Sequence, residues 1–198
     1  MVHMMSDAAR RLVFEAARRA DAMGVMRLDE AGGLDARAAL RLVTRARDAG
    51  VARTPPVSWG NLDVPTDQEI TELLRLVIAA LEGSPVPKSE WPSLSGVFEA
   101  DHLARLLGIS LSSLRRYLSG SRETPDEVAE RLHFLALVMA DLAGSYDAIG
   151  IRRWFERPRT TLGGRAPSAL LTGDWDPEGA GAQKVRHLAR SLVALSAT

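Results

Sequence analysis

The chain contains no cysteine, which excludes disulfides, thiolate metal sites and a cysteine nucleophile and agrees with a reducing compartment. It has no net charge: 25 basic and 25 acidic residues balance at pH 7, so the whole molecule is no magnet for nucleic acid. Lysine is nearly missing, since only Lys88 and Lys184 stand among the 25 basic residues. Arginine suits planar contacts to phosphate and carboxylate, although an alanine- and arginine-rich genome explains the bias as well. No apolar run is long enough to cross a bilayer, and no lysine-rich start leads into an apolar core as in a secretory leader. A cytoplasmic location without membrane contact is the expectation. The four histidines, His3, His102, His133 and His187, are scattered. Paired carboxylates in a suggestive context, a nucleophile elbow and a metal-ligand cluster are all missing, so neither an enzyme nor a cofactor is expected. His133 has no second ligand at metal spacing and reads as a packing or solvent-facing residue.

What remains is helix. With 198 residues the chain can form one medium domain or two small ones without covalent staples. The pattern predicts a first helix over about Ser6 to Met23, with a stripe of Leu12, Val13, Ala16 and Ala20 and a stop at Gly24. A second runs from the N-cap Asp35 to Ala49 before Gly50. Val51 to Pro65, with Pro55, Pro56, Gly60 and Asn61, reads as a linker; Val57, Trp59 and Leu62 allow a short extended piece within it. Thr66 and Glu69 form a capping box for a helix with Leu73, Leu74, Val77, Ile78 and Leu81. Pro85, Pro87 and Pro92 then break the chain.

Phe98 to Gly120 reads FEADHLARLLGISLSSLRRYLSG. Leu103, Leu107, Ile109, Leu114, Tyr117 and Leu118 fit two short helices joined by a tight turn. Ala104 is small where the helices cross, Gly108 tolerates positive φ in the turn, and Ser110 caps the second helix. From Asp101 to Arg122, four arginines (105, 115, 116 and 122) oppose Asp101 alone, a local charge of +3. A neutral protein can therefore still carry a basic face. An ordinary helical hairpin with solvated arginines fits the same residues. Thr124 and Glu127, with Pro125 between, form a second capping box for a helix to about Ala143, whose core face is Val128, Leu132, Leu135, Ala136, Met139 and Leu142.

Beyond it, Tyr146 to Phe155 reads as a short helix closed by Pro158. Leu162-Gly-Gly-Arg165 is a turn, Pro167 starts another short helix, and Asp176-Pro177 opens a last one with Val185, Leu188, Ala189 and Leu192 on its apolar face. A Gly-Gly-Arg turn before a helix can cradle phosphate, but the lysine and hydroxyl of a nucleotide loop are missing. A tight turn between packed helices, with Trp154 and Phe155 in a core, is the plainer reading.

The spacing of Phe98 to Gly120 resembles the helix-turn-helix of Xre-type repressors. Trp154, Phe155 and Pro158, then Leu162 to Leu171, then Lys184 to Leu192, resemble in order the toxin-binding domain of the Xre–MbcA–ParS antitoxins. The likeness covers Phe98 to the C-terminus and leaves residues 1 to about 60 unexplained. It implies an all-α protein in three parts: a helical N-terminal extension (1–60), a helix-turn-helix domain (61–145) and a toxin-binding domain (146–198). It further implies an antitoxin that obstructs the active site of a RES-domain, NAD-consuming toxin and represses its own operon, as a homodimer within a toxin–antitoxin assembly. The DNA-facing candidates are Ser110, Leu111, Ser112, Ser113, Arg115, Arg116 and Ser119, on the helix that would enter the major groove. The toxin-facing candidates are Arg153, Trp154, Arg157, Gly163, Gly164, Arg165, Lys184, Arg186 and Arg190. Trp154 serves equally as internal packing. The competing expectation is a helix-turn-helix regulator with a C-terminal dimerisation or ligand-binding domain and no toxin partner.

Overall fold

A computed structural model describes residues 5–51 and 66–196, the last four by backbone alone. Among the described residues the protein is all-α, with nine α-helices joined by short 3-10 turns and a single antiparallel bridge, Arg159 to Arg165, outside them. No helix among these residues is long and apolar enough to cross a membrane. The extended piece expected at Val57, Trp59 and Leu62, and the linker around it beyond Val51, lie outside the described residues. The chain forms two compact units, 1–86 and 87–198. This differs from the three expected parts. The helix after Thr66 belongs with the N-terminal helices, and residues 146–198 do not separate from those before them.

The first unit consists of α1 (Asp7–Ala22), a 3-10 turn (Leu28–Ala31), α2 (Ala36–Asp48) and α3 (Asp67–Gly83). Ser6 caps α1 by accepting from the Ala9 amide. Its hydroxyl also donates to the Asp67 carboxylate at 2.6 Å, at the start of α3. At the opposite ends Arg19 reaches Glu82 at 2.8 Å, so α1 and α3 run parallel. The buried face of α1 is largely alanine (9, 16, 17, 20 and 22), and α2 adds Ala38, Ala39 and Ala46. Such small side chains allow close backbone approach. The bulk comes from Ile70, Leu73, Leu74, Val77 and Leu81 of α3, which packs on both partners. The capping box forms as expected: the Glu69 amide donates to the Thr66 hydroxyl and the Glu69 carboxylate accepts from the Thr66 amide. The Thr66 hydroxyl and amide hold that carboxyl below its ordinary value.

The second unit is built around α7 (Asp126–Leu142), which α4 (Pro87–Val97), α5 (Ala100–Leu107) and α9 (Ala180–Ser196) all touch. From Arg131 to Leu142 every residue of α7 is buried, so the six expected core positions belong to a helix enclosed on nearly all sides. Three of its enclosed residues are polar: Arg131, His133 and Asp141. A buried charge survives only with a partner. Arg131 binds the segment 107–175 at several points, described below. His133 Nδ1 lies 2.6 Å from the carboxylate of the fully buried Glu90 on α4. Asp141 faces Arg186 and Arg190 of α9, at 3.9 and 3.5 Å.

Two local expectations need correction. Pro92 does not break the chain; it sits inside α4. Proline at 87 fits a first helical turn, and the carbonyl that Pro92 leaves without its amide partner belongs to Lys88. Both residues are exposed, so water can satisfy it. The box at Thr124 does not form either. Pro125 is the N-cap of α7 and no side chain caps it. The Thr124 hydroxyl instead accepts from the Trp91 indole at 2.9 Å, a buried donor whose pairing is worth more than an exposed cap.

Candidate functional site

Two exposed cationic surfaces occupy the second unit. The first is formed by α5, the turn at 108–110 and α6 (Leu111–Leu118). Leu103, Ala104, Leu106 and Leu107 bury one face of α5, while Leu114 and Tyr117 do so for α6. Gly108 is left-handed at φ 67°, as the turn requires. Ser110 caps α6 through the Ser113 amide at 3.1 Å. With the inner positions filled, Arg115 and Arg116 point outward and are exposed. The serines are tied to one another: the Ser110 hydroxyl lies 3.0 Å from those of both Ser112 and Ser113. Ser112 is exposed, whereas Ser113 and Leu111 are half-buried. Ser119 is the C-cap, and its hydroxyl donates to the Arg116 carbonyl at 3.1 Å. Leu118, expected in the core, is exposed; it falls on the same outer side as Arg115.

Arg122 belongs to this surface as well. Its guanidinium lies 5.7 Å from the Tyr117 ring, which in turn stacks on Trp91 at 5.8 Å. That column fixes an exposed arginine at the end of α6. Among the described residues neither Arg115, Arg116 nor Arg122 forms an ion pair, so the charge is open to a partner. Arginine can meet guanine edges or phosphates, and serine either.

The second surface is carried by α8 (Ala148–Glu156), the bridged loop 159–165 and α9. Asp147 caps α8 through the Gly150 amide at 2.7 Å. Ile151, Trp154 and Phe155 face inward. Phe155 stands edge-on to Phe98 at 5.3 Å and to Trp154 at 5.2 Å. Trp154 is therefore a core residue and cannot touch a partner across this surface. Its indole nitrogen finds no acceptor among the described residues, while Arg159 lies over its ring at 5.6 Å. Arg153 and Arg157 are exposed. Gly163 and Gly164 are both left-handed, at φ 67° and 78°. The Gly164 amide returns to the Arg159 carbonyl at 2.9 Å and the Arg159 amide to the Arg165 carbonyl at 3.0 Å. This closure leaves Arg165 exposed at the tip.

The last helix begins at Ala180 rather than at Asp176-Pro177. Asp176 folds instead into a turn, accepting from the Glu178 amide at 2.9 Å. Val185 and Ala189 are buried, and Lys184, His187 and Arg190 line the outer face. Arg186 is not on that face; it is half-buried beside Asp141. Of the nine toxin-facing candidates, Trp154 and Arg186 serve the core. Arg153, Arg157, Gly163, Gly164, Arg165, Lys184 and Arg190 are exposed.

Sequence reasoning missed three residues. Ile149 is 50% exposed, one turn before Arg153 on α8, an uncharged anchor within a cationic stripe. His187 lies between Lys184 and Arg190. Trp175 stands in a loop of turn residues that seemed to have no role. A lone tryptophan among Thr172, Gly173, Asp174 and Asp176 signals a buried ring with a partnered N–H, and that signal was readable. His102 on α5 has Nε2 2.7 Å from Glu156 of α8. Burial depresses its pKa below the ordinary 6.5, against the opposing pull of Glu156.

Among the described residues no group of three or more histidines and carboxylates could hold a metal ion. No protein-family model matches this chain, and neither any curated protein nor any solved structure matches it.

Proposed function

We propose that the chain is an antitoxin: its C-terminal surface occupies the active site of a RES-domain, NAD-consuming toxin, and α5–α6 acts as a helix-turn-helix that represses its own operon. One observation carries the reading. The segment from Arg153 to Arg190 buries its tryptophan and phenylalanine inward and turns Arg153, Arg157, Arg165, Lys184 and Arg190 outward. A cleft built for a dinucleotide binds anionic groups, and a rigid cationic plug matches it. Arg165 is the projection best suited to enter, because the closed loop behind it has lost its conformational freedom before binding. The exposed arginines of α6 support the second activity, since an α-helix with outward arginines fits the major groove. In this reading the protein acts in the cytoplasm, with operator DNA and toxin as its partners and a homodimer as its working form.

Co-expression with the toxin encoded beside it is the test. Rescue of growth and co-purification are the expected results. A toxin that stays lethal and separates from the chain removes the proposal. The regulator without a toxin has its own support: residues 146–198 share one compact unit with α5–α6, as a scaffold for a DNA-binding helix would. It calls for tight operator binding by the isolated chain, with half-sites about 34 Å apart and affinity falling steeply with salt.

A further inference from the structure

The end of α5 is closed from far along the sequence. The last four carbonyls of a helix lack partners within it, and a buried one must find a donor elsewhere. At the end of α5 the accounting is complete. Ala104 and Arg105 accept from the backbone of the turn, through the Gly108 and Ile109 amides. Leu106 and Leu107 are buried, so water cannot serve them. The Leu106 carbonyl accepts from the Trp175 indole at 2.7 Å, and that of Leu107 from Arg131 Nη1 at 3.3 Å. The same guanidinium donates through Nε to the Trp175 carbonyl at 2.7 Å and pairs with the Asp174 carboxylate. Trp175 is held in turn by Phe134, edge to face at 5.2 Å.

The fit is close. A Cβ on Gly108 would collide with the carbonyl of Gly173 and stand 3.4 Å from Arg131 Nη1. Gly108 is thus required twice, by its positive φ and by the loop that lies on it. α6 begins three residues later, at Leu111, so whatever fixes the end of α5 and this turn fixes where α6 starts.

From this joint we infer that Arg131 and Trp175 are positioning residues for α6: by locking the end of α5 they set the angle at which α6 meets a base sequence. The inference rests on the DNA-binding half of the proposed function. Neither residue touches DNA. Base-specific contact depends on angle, because hydrogen bonds to base edges have one geometry, whereas attraction to phosphates follows charge and is tolerant of it. Disturbing the joint therefore degrades discrimination and leaves the electrostatic term alone.

The test uses the full chain and two variants. Trp175→Phe keeps the ring against Phe134 and removes the donor to Leu106. Arg131→Lys keeps the charge and gives up the planar fork that spans three acceptors. Binding is measured to a duplex of the region upstream of the chain's own gene and to a scrambled duplex of equal length, at a temperature where circular dichroism shows all proteins fully helical. We expect the upstream affinity to fall about tenfold in each variant, the cost of a buried carbonyl left without its donor. Affinity for the scrambled duplex, and its salt dependence, stay at the wild-type value. Upstream affinity unchanged in both variants overturns the inference. So does an equal loss on the two duplexes, which marks lost folded protein rather than a misplaced helix. A wild-type chain that binds both duplexes alike removes the DNA-binding reading itself, and this inference with it.

Discussion

The two units solve the same problem with different materials. The first packs alanine against leucine and places its long-range polar ties, Ser6–Asp67 and Arg19–Glu82, at the rims of its helices. The second packs four ring pairs edge to face or stacked and buries Glu90, Arg131, His133 and Asp141 within them. Alanine packing is permissive, since small side chains slide past one another at little cost. Buried charges with directional partners have few alternatives, and breaking one leaves the other stranded. The unit with both cationic surfaces is thus the one whose internal geometry is most constrained. The contrast separates a region that has only to be compact from one that must hold side chains in place.

Mutations sharpen this contrast, beginning with the largest effect. Trp154→Ala should destabilise the second unit by about 3–5 kcal/mol, measured by urea denaturation of the full chain. Loss of α8 and α9 alone, with α4–α7 intact, would show that the unit is divisible. Asp141→Ala strands Arg186 and Arg190 and should cost about 3 kcal/mol. It should also loosen α9, read as faster amide exchange over 182–190. Arg165→Glu should weaken the toxin complex by about 2 kcal/mol or more, as expected of a central arginine, with helix content unchanged; equal affinity takes Arg165 out of the interface. In the first unit, Arg19→Met removes a rim tie and should cost about 1 kcal/mol or less. A loss as large as that of Asp141→Ala would erase the distinction between the units.

The smallest effect is a pH dependence. His102 binds its proton less readily folded than unfolded, because burial disfavours the charged ring. The unfolded chain takes up more protons, so this contribution is complete above pH 6.5 and is lost as pH falls through the depressed folded value. His102→Gln should flatten the decline of the melting temperature over that range. A variant as acid-sensitive as wild type would assign the decline to other groups.

The helices were legible because their ends are local. Ser6, Asp35, Thr66 and Ser110 all cap as their types and spacing demand, and Gly108 turns where the apolar pattern breaks. The misreadings occur where a distant partner outbids a local one. Thr124 looks like a cap in sequence, but its hydroxyl goes to Trp91, 33 residues away. Pro92 looks like a breaker, but a single exposed carbonyl is easily hydrated. Arg186 resembles its neighbours Lys184 and Arg190, and only the position of Asp141 tells it apart. At the candidate sites the exposed arginines could be enumerated from sequence. Which of them are held, and by what, depends on contacts such as that between Arg122 and Tyr117.

The bond from Trp175 to Leu106 spans 69 residues, and this fixes an order of events during synthesis. A ribosome that has released α5 and α6 has not yet made the indole that closes Leu106, and closing so long a loop is slow compared with forming either helix. Until nearly the whole polypeptide has emerged, two buried carbonyls stand open at the end of α5. A product broken off before residue 175 would keep both short helices and never complete the joint between them.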